Sequence, residues 1–132
     1  MGINGHIILC EDYVSFEIAK LLKEKGFNER CLKQYYINGN LSDVTIEAKY
    51  NTIDSQVSAP TLQMAMKWLR EVHNIFIVIE PHMYDYINEK NSSYVASVWQ
   101  GDNYYENITS KDYPTYEEAV DSLLKYCLEN LI

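Results

Sequence analysis

The 132-residue chain lacks any apolar run long enough to cross a bilayer. Its longest run, residues 75–79, falls far short of the ~20 apolar residues that a membrane-spanning helix needs. The amino-terminal segment also lacks a basic stretch, and its apolar run stops at Glu11-Asp12, so it is a poor signal peptide. These absences exclude a membrane span and predict a cytoplasmic protein.

Cysteine is scarce. The three residues of this type, Cys10, Cys31 and Cys127, are odd in number and widely spaced, which does not fit a disulfide framework. Without an export signal, reduced thiols in a cytosol are the simplest interpretation. Cys127 lies on the apolar face of a predicted helix, so we expect it to be a small core residue.

The motifs of several catalytic and cofactor-binding classes are missing. The five glycines occur singly, without a G-x-G-x-x-G or Walker loop to cradle a nucleotide. There is no C-x-x-C, H-E-x-x-H or G-x-S-x-G sequence. The three histidines, His6, His73 and His82, do not share a helix face. The sequence therefore predicts neither a cofactor nor a metal site.

Positive charge is depleted in the second half of the chain. Residues 1–70 are balanced, whereas residues 71–132 hold three basic and eleven acidic residues and so carry the whole net charge of −8. Such a surface repels phosphate groups, and binding to nucleic acid through charge is not expected.

Three helices are predicted from their ends and their apolar stripes. The first begins after an N-cap at Ser15 and ends at Gly26, the second begins near Pro60, and the third begins at a capping box of Thr115 and Glu118. The central helix carries a core stripe that Trp68 widens, made of Leu62, Ala65, Met66, Leu69 and Val72.

The strand signals lie between these helices. Residues 31–37 and 41–50 flank Asn38-Gly39, which predicts a hairpin whose second strand turns Ile46 to the dry face. The all-apolar run 75–79 predicts a strand buried on both faces, which Glu80-Pro81 stops or moves to a sheet edge. A strand at 94–99 follows, with turns expected at 88–92 and 101–103.

The predicted order is α-β-β-α-β-β-α in a single domain over residues 1–132. Three one-faced helices and a mostly antiparallel sheet indicate an α+β two-layer sandwich. Residues 1–12 are interpreted as an arm or a short edge strand at 7–9.

Tyrosine is abundant, and eight of the twelve residues of this type lie between positions 84 and 126. Tyrosine joins a large apolar ring to a polar tip and is enriched at binding surfaces. We predict a non-enzymatic protein that binds another protein through a face containing Tyr84, Tyr86, Tyr94, Trp99, Tyr104 and Tyr105. The alternative is that half of these rings pack under the helices while the others cover strand edges. The pattern leaves monomer and homodimer both open.

Two other functional hypotheses remain. A carboxylate beside an imidazole performs general acid–base chemistry, so Glu80, His82 and His73 define a small hydrolase if they converge. The same Glu80-Pro81-His82 segment also fits an exposed turn. A weaker hypothesis is an acidic mimic of nucleic acid, which requires carboxylates spaced like phosphates along one face.

Several segments also carry a family resemblance, chiefly Ser58-Ala59-Pro60 followed by Gln63 and by Trp68-Leu69-Arg70-Glu71. Further matching segments are Leu22-Lys23-Glu24-Lys25-Gly26-Phe27, Cys31-Leu32 and Tyr116-Glu117-Glu118-Ala119. In these segments the chain resembles a group of small proteins associated with bacteriophages and prophages of gut-type bacteria. The resemblance implies a phage or mobile-element accessory protein with a host or phage protein as partner. It supplies no catalytic or binding residue.

Overall fold

The computed structural model describes residues 10–43, 45–85, 90–106 and 112–132, with the backbone alone at 82–85, 90–92 and 106. Within them lie three α-helices and five β-strands: α1 Phe16–Glu24, β1 Gln34–Tyr36, β2 Gln56–Ser58, α2 Leu62–His73, β3 Ile75–Asp85, β4 Lys90–Gln100, β5 Asn103–Glu106 and α3 Tyr116–Asn130. Strands β1 and β2 form one antiparallel sheet, and β3-β4-β5 form another. The predicted α+β class and element order are confirmed. The strand expected at 7–9 lies outside the described residues.

The ends of α1 follow from local sequence. The Ser15 hydroxyl accepts a hydrogen bond from the Ile18 N–H at 3.3 Å, which caps the amino-terminal end. At the other end Gly26 has φ of 97°, and the Phe27 N–H donates to the Leu22 carbonyl at 2.9 Å. This is the Schellman ending that the sequence predicts, and Phe27 is buried beside the helix it terminates.

Helix α2 begins two residues later than expected. Thr61 is the N-cap, so Pro60 precedes the helix instead of lying in its first turn, and the Thr61 hydroxyl accepts a hydrogen bond from the Met64 N–H at 3.1 Å. Asn74 ends the helix in the left-handed conformation with φ of 56°. Val72, predicted in the core stripe, is 57% exposed because it lines a cleft beside the loops at residues 29–30 and 47–49 instead of facing the core.

The core lies between the larger sheet and the helices. Helices α2 and α3 pack on one face of β3-β4-β5, and α1 packs against α3 and β2. Cys127 is fully buried and Trp68 is 7% exposed, as predicted. The largest fully buried side chains on the helices are Ile18, Leu22, Leu69, Leu123, Leu124 and Leu128. No helix in the described part of the chain has the length and apolarity to cross a membrane.

The first hairpin differs from the prediction in its second strand. The turn at Asn38-Gly39 forms, but among the described residues of the range 41–50 only Leu41 and Ala48 make β-bridges, and both bridges are isolated. The regular partner of β1 is β2 instead. The side chain of Asn51 fixes β2 by accepting a hydrogen bond from the Ser58 N–H at 2.7 Å. Because the described residues on either side of position 44 do not form a strand, Ile46 is 61% exposed rather than on a dry face.

Strand β3 is neither central nor dry on both faces. It lies at the edge of its sheet and pairs only with β4 among the described strands. Phe76 is 42% exposed, whereas Ile75 is fully buried, so the two faces of the run 75–79 differ. The strand continues through Pro81, which an edge strand tolerates.

The predicted strand at 94–99 is confirmed and is longer than expected, because β4 spans Lys90–Gln100. Residues 90–92 of the turn expected at 88–92 are therefore strand, and residues 86–89 lie outside the described part. Gly101-Asp102 forms the turn between β4 and β5, with Gly101 at φ of 59°. A positive φ at the first turn position is typical of a type II′ hairpin turn.

Candidate functional site: the outer face of the larger sheet

The larger sheet has one covered face and one open face. On β4, Ala96 and Val98 are fully buried, whereas Trp99 is 43% exposed, because successive side chains of a strand point to opposite faces. We define the outer face as the side of β3-β4-β5 that faces away from α2 and α3. Its described members are Phe76, Val78, Glu80, Val95, Ser97, Trp99 and Tyr104.

An aromatic row crosses the outer face. Phe76 on β3 lies opposite Trp99 on β4, and Trp99 lies opposite Tyr104 on β5. The Trp99 and Tyr104 ring centroids are 4.6 Å apart, so each ring covers part of the other. Even so, Phe76, Trp99 and Tyr104 are 42%, 43% and 45% exposed. Three large rings in adjacent strands therefore present apolar surface to solvent at one level of the sheet.

The surroundings of the aromatic row are partly polar. The Tyr104 hydroxyl donates to the Ser97 hydroxyl at 3.2 Å, and Ser97 is only 5% exposed beneath the rings. Val78 and Val95 are partly exposed next to the row. Glu80 further along β3 is exposed and carries a negative charge. An apolar centre with polar groups at its margin is the usual composition of a protein-binding surface.

The structure divides the predicted tyrosine face. Trp99 and Tyr104 lie on the outer face, whereas Tyr94 and Tyr105 are half-buried on the opposite face, packed against the core. Tyr94 also contacts Tyr116 of α3, with ring centroids 6.3 Å apart. The side chain of Tyr84 and the whole of Tyr86 lie outside the described residues.

Phe76 and Val78 are members of the outer face that sequence reasoning missed. Both belong to the run 75–79, in which every residue is apolar, so alternation gives no signal of which side is exposed. Phe76 is assigned to the outer face because it lies opposite Trp99. This pairing follows from the register of two separate strands.

The groups proposed for acid–base catalysis do not converge. The half-buried ring of His73 packs on Trp68, with ring centroids 4.7 Å apart. Glu80 points from the outer face, six residues along an extended strand from Asn74, which is about 20 Å at 3.3 Å per residue. The side chain of His82 lies outside the described residues.

A separate cavity of about 610 Å³ is rich in carboxylates. It lies beside the first turns of α1 and α3 and is lined by Asp12, Glu17, Glu117, Glu118 and Asp121, with Lys125 3.4 Å from Glu17. Burial raises the pKa of Asp121, and hydrogen bonds from Ser15 offset part of this shift. A mimic of nucleic acid needs carboxylates in a row along one face, which differs from this grouping around a concavity.

The two buried thiols show no sign of activation. Burial raises the pKa of Cys31 to about 11 and that of Cys127 to about 12, so both remain protonated and weakly nucleophilic at neutral pH. In the described ranges, no group of three or more His, Cys, Asp or Glu side chains is arranged to hold a metal ion.

Comparisons with protein-family models, with curated proteins and with solved structures found no match. The resemblance to phage-associated proteins therefore stays a prediction.

Proposed function

We propose that this protein acts by binding another protein through the outer face of its larger sheet, rather than by catalysis. One observation carries the proposal. Phe76, Trp99 and Tyr104 form a continuous row across three strands, on the face opposite the helices, and each keeps more than two fifths of its surface exposed. Aromatic residues of this kind dominate the energy of protein–protein contacts.

The physical reason lies in the cost of exposing this surface. Burying apolar area is favourable by roughly 25 cal/mol per Å², and an aromatic side chain offers 150–250 Å². The Trp99 and Tyr104 rings already pack on each other, so a partner has fewer side chains to order when it docks. We also propose that the protein acts in the cytoplasm, an idea supported by the buried free thiols of Cys31 and Cys127. We also propose that the partner is a host or phage protein, which rests only on the resemblance to phage-associated proteins.

Site-specific photocrosslinking in cells tests the proposal. A photoreactive phenylalanine analogue replaces Tyr104 in one variant and Tyr36 of β1 in the other. Tyr36 is a matched control because it is 44% exposed, against 45% for Tyr104. We expect a discrete adduct with another protein from position 104 and none from position 36.

A second substitution shows whether the aromatic row is responsible. Adding Trp99→Ser to the position-104 variant should abolish the adduct, while far-ultraviolet circular dichroism shows that the fold is kept. Adducts of equal yield from positions 36 and 104, or an adduct that survives Trp99→Ser, would contradict the proposal.

A further inference from the structure

The hydrogen-bond pattern of β4 reveals which backbone groups of β3 face away from the sheet. Tyr94 exchanges two hydrogen bonds with Tyr113, both of 2.8 Å, on the side away from β3. Its register partner on β3, Pro81, is therefore in a non-hydrogen-bonded pair. Pro81 lacks an N–H and directs its backbone to the open edge, which explains why the strand accommodates it.

Every second residue of β3 directs its backbone groups to the same side as Pro81. Since hydrogen-bonding direction reverses at each residue, Ile75, Ile77 and Ile79 direct their N–H and C=O groups to the same open edge as Pro81. A bond from the Gly101 N–H to the Asn74 carbonyl, 3.3 Å long, agrees with this alternation at the other end of the strand. In the described ranges, no backbone group pairs with this edge.

The first part of this edge, residues 75–79, lacks the usual protection against pairing, whereas Pro81 protects the part that follows. Natural edge strands carry a lysine, a proline or a bulge where they face solvent. Residues 75–79 contain no charge and no proline, and their register with β4 is regular. Phe76 is 42% exposed, and Ile77, Val78 and Ile79 are only partly buried.

We propose that this edge pairs with the same edge of a second copy of the chain, in an antiparallel register centred on Ile77. In this register Ile77 faces Ile77 of the second copy, and Ile75 faces its Ile79. The backbone groups of Ile75, Ile77 and Ile79 then all find hydrogen-bonding partners. The two three-stranded sheets join into one six-stranded sheet around a twofold axis.

Self-complementarity identifies the occupant as a second copy. In an antiparallel twofold interface, each residue faces the residue that lies equally far from the centre on its other side. Residues 75–79 are all apolar, so every pair about Ile77 is apolar on apolar. The uncharged segment brings no like charges together, although each chain carries −8. Glu80 lies opposite Asn74 of the second copy in this register. Centring on Val78 would instead set Ile75 against Pro81, which has no N–H to donate.

Sedimentation of the full chain tests the proposal. At about 100 µM, where a dimer of micromolar Kd is nearly complete, we expect twice the 15.4 kDa mass of the chain. Ile77→Pro removes an outward N–H and also replaces a side chain that packs partly buried against the core. It should give a monomer that keeps the circular dichroism of the wild type. Ile77→Ala is the matched control, since it shortens the same side chain but keeps the N–H, and should remain dimeric.

Disulfide trapping tests the register and does not depend on Ile77→Pro folding. Phe76 and Val78 of the second copy form a non-hydrogen-bonded pair in the proposed register, at a Cα separation of about 4.5 Å that a disulfide can span. On a Cys10→Ser background, Phe76→Cys combined with Val78→Cys should give a covalent dimer on mild oxidation. Phe76→Cys alone should not.

Either of two results would overturn the proposal: a wild-type chain that sediments as a monomer, or a single and a double cysteine variant that cross-link to the same extent. The inference rests on the backbone of β3 and not on the proposed function. Loss of the position-104 adduct in Trp99→Ser leaves the dimer unaffected, so the two ideas fail separately.

Discussion

The two tryptophans of this protein lie in contrasting surroundings: Trp68 lies in the core, the closed side, and Trp99 lies on the outer face of the larger sheet, the open side. Trp68 on α2 is 7% exposed and meets Phe27 at a ring-centroid distance of 5.4 Å. Trp99 on β4 is 43% exposed, although its distance to Tyr104 is shorter, at 4.6 Å. Pairing with another ring therefore does not distinguish a core residue from a surface residue. What differs is the layer above the pair, which is present at Trp68 and missing at Trp99 in the described structure.

The largest expected effect is on the closed side. We expect Trp68→Ala to lower the free energy of unfolding by about 3–5 kcal/mol, because it removes a buried ring and leaves a cavity. Trp99→Ala should cost less, about 1 kcal/mol, since the Trp99 side chain is already 43% exposed to water. Urea unfolding followed by circular dichroism measures both. Equal losses for the two variants would show that something covers the outer face in the isolated protein.

A smaller difference in stability is expected when the hydroxyl of Tyr113 or of Tyr104 is removed. Tyr113 is 4% exposed, and its hydroxyl shares a hydrogen bond of 2.7 Å with Ser122 on α3. Tyr113→Phe should cost about 1–1.5 kcal/mol, because it leaves a half-buried hydroxyl without this partner. Tyr104→Phe removes a longer bond, 3.2 Å, made by a hydroxyl whose ring is 45% exposed, and should cost less, about 0.5 kcal/mol. The same urea titration measures both losses of stability. A larger loss for Tyr104→Phe than for Tyr113→Phe would refute the assignment of Tyr104 to the exposed face.

The smallest effect concerns the carboxylate cavity. Burial raises the pKa of Asp121 in the folded protein above its unfolded value. Between these two values the folded state binds more protons, so this group makes stability fall as pH rises through the window, and the loss persists at neutral pH. Asp121→Asn should therefore be slightly more stable than the wild type at pH 7, with no advantage below the window.

Unfolding of both proteins at pH 7 and at acidic pH measures this difference. Glu129→Gln, an exposed substitution on the same helix, is the control for a simple change in net charge. A stability difference for Asp121→Asn that does not change with pH would contradict the role assigned to burial.

The helix ends were predictable because their causes are local. Ser15, Gly26 and Thr115 act on groups within a few residues of themselves, so the short-range pattern contains the whole mechanism. The strand predicted at residues 41–50 was wrong for the opposite reason. Their alternation is typical of a strand, but Asn51 holds Ser58 and gives β2 the regular place beside β1. That competition between two distant segments has no local signal.

The candidate site was predictable only in part. Tyrosine enrichment pointed to the region of β4 and β5 and correctly included Trp99 and Tyr104 on an exposed surface. It also included Tyr94 and Tyr105, which the alternation of the strands turns toward the core. It omitted Phe76, because a run in which every residue is apolar does not show which side is covered.

The sequence by itself determined the α+β class, the element order, the capped helices and the absence of a membrane-spanning run, since each depends on periodicity or on neighbours a few residues away. Tertiary structure alone decided which face of the larger sheet the helices cover. It also decided that β3 lies at the edge among the described strands, and that Phe76, Trp99 and Tyr104 meet in one row. These depend on register and packing between segments far apart in the chain, where one residue of shift moves every side chain to the other face.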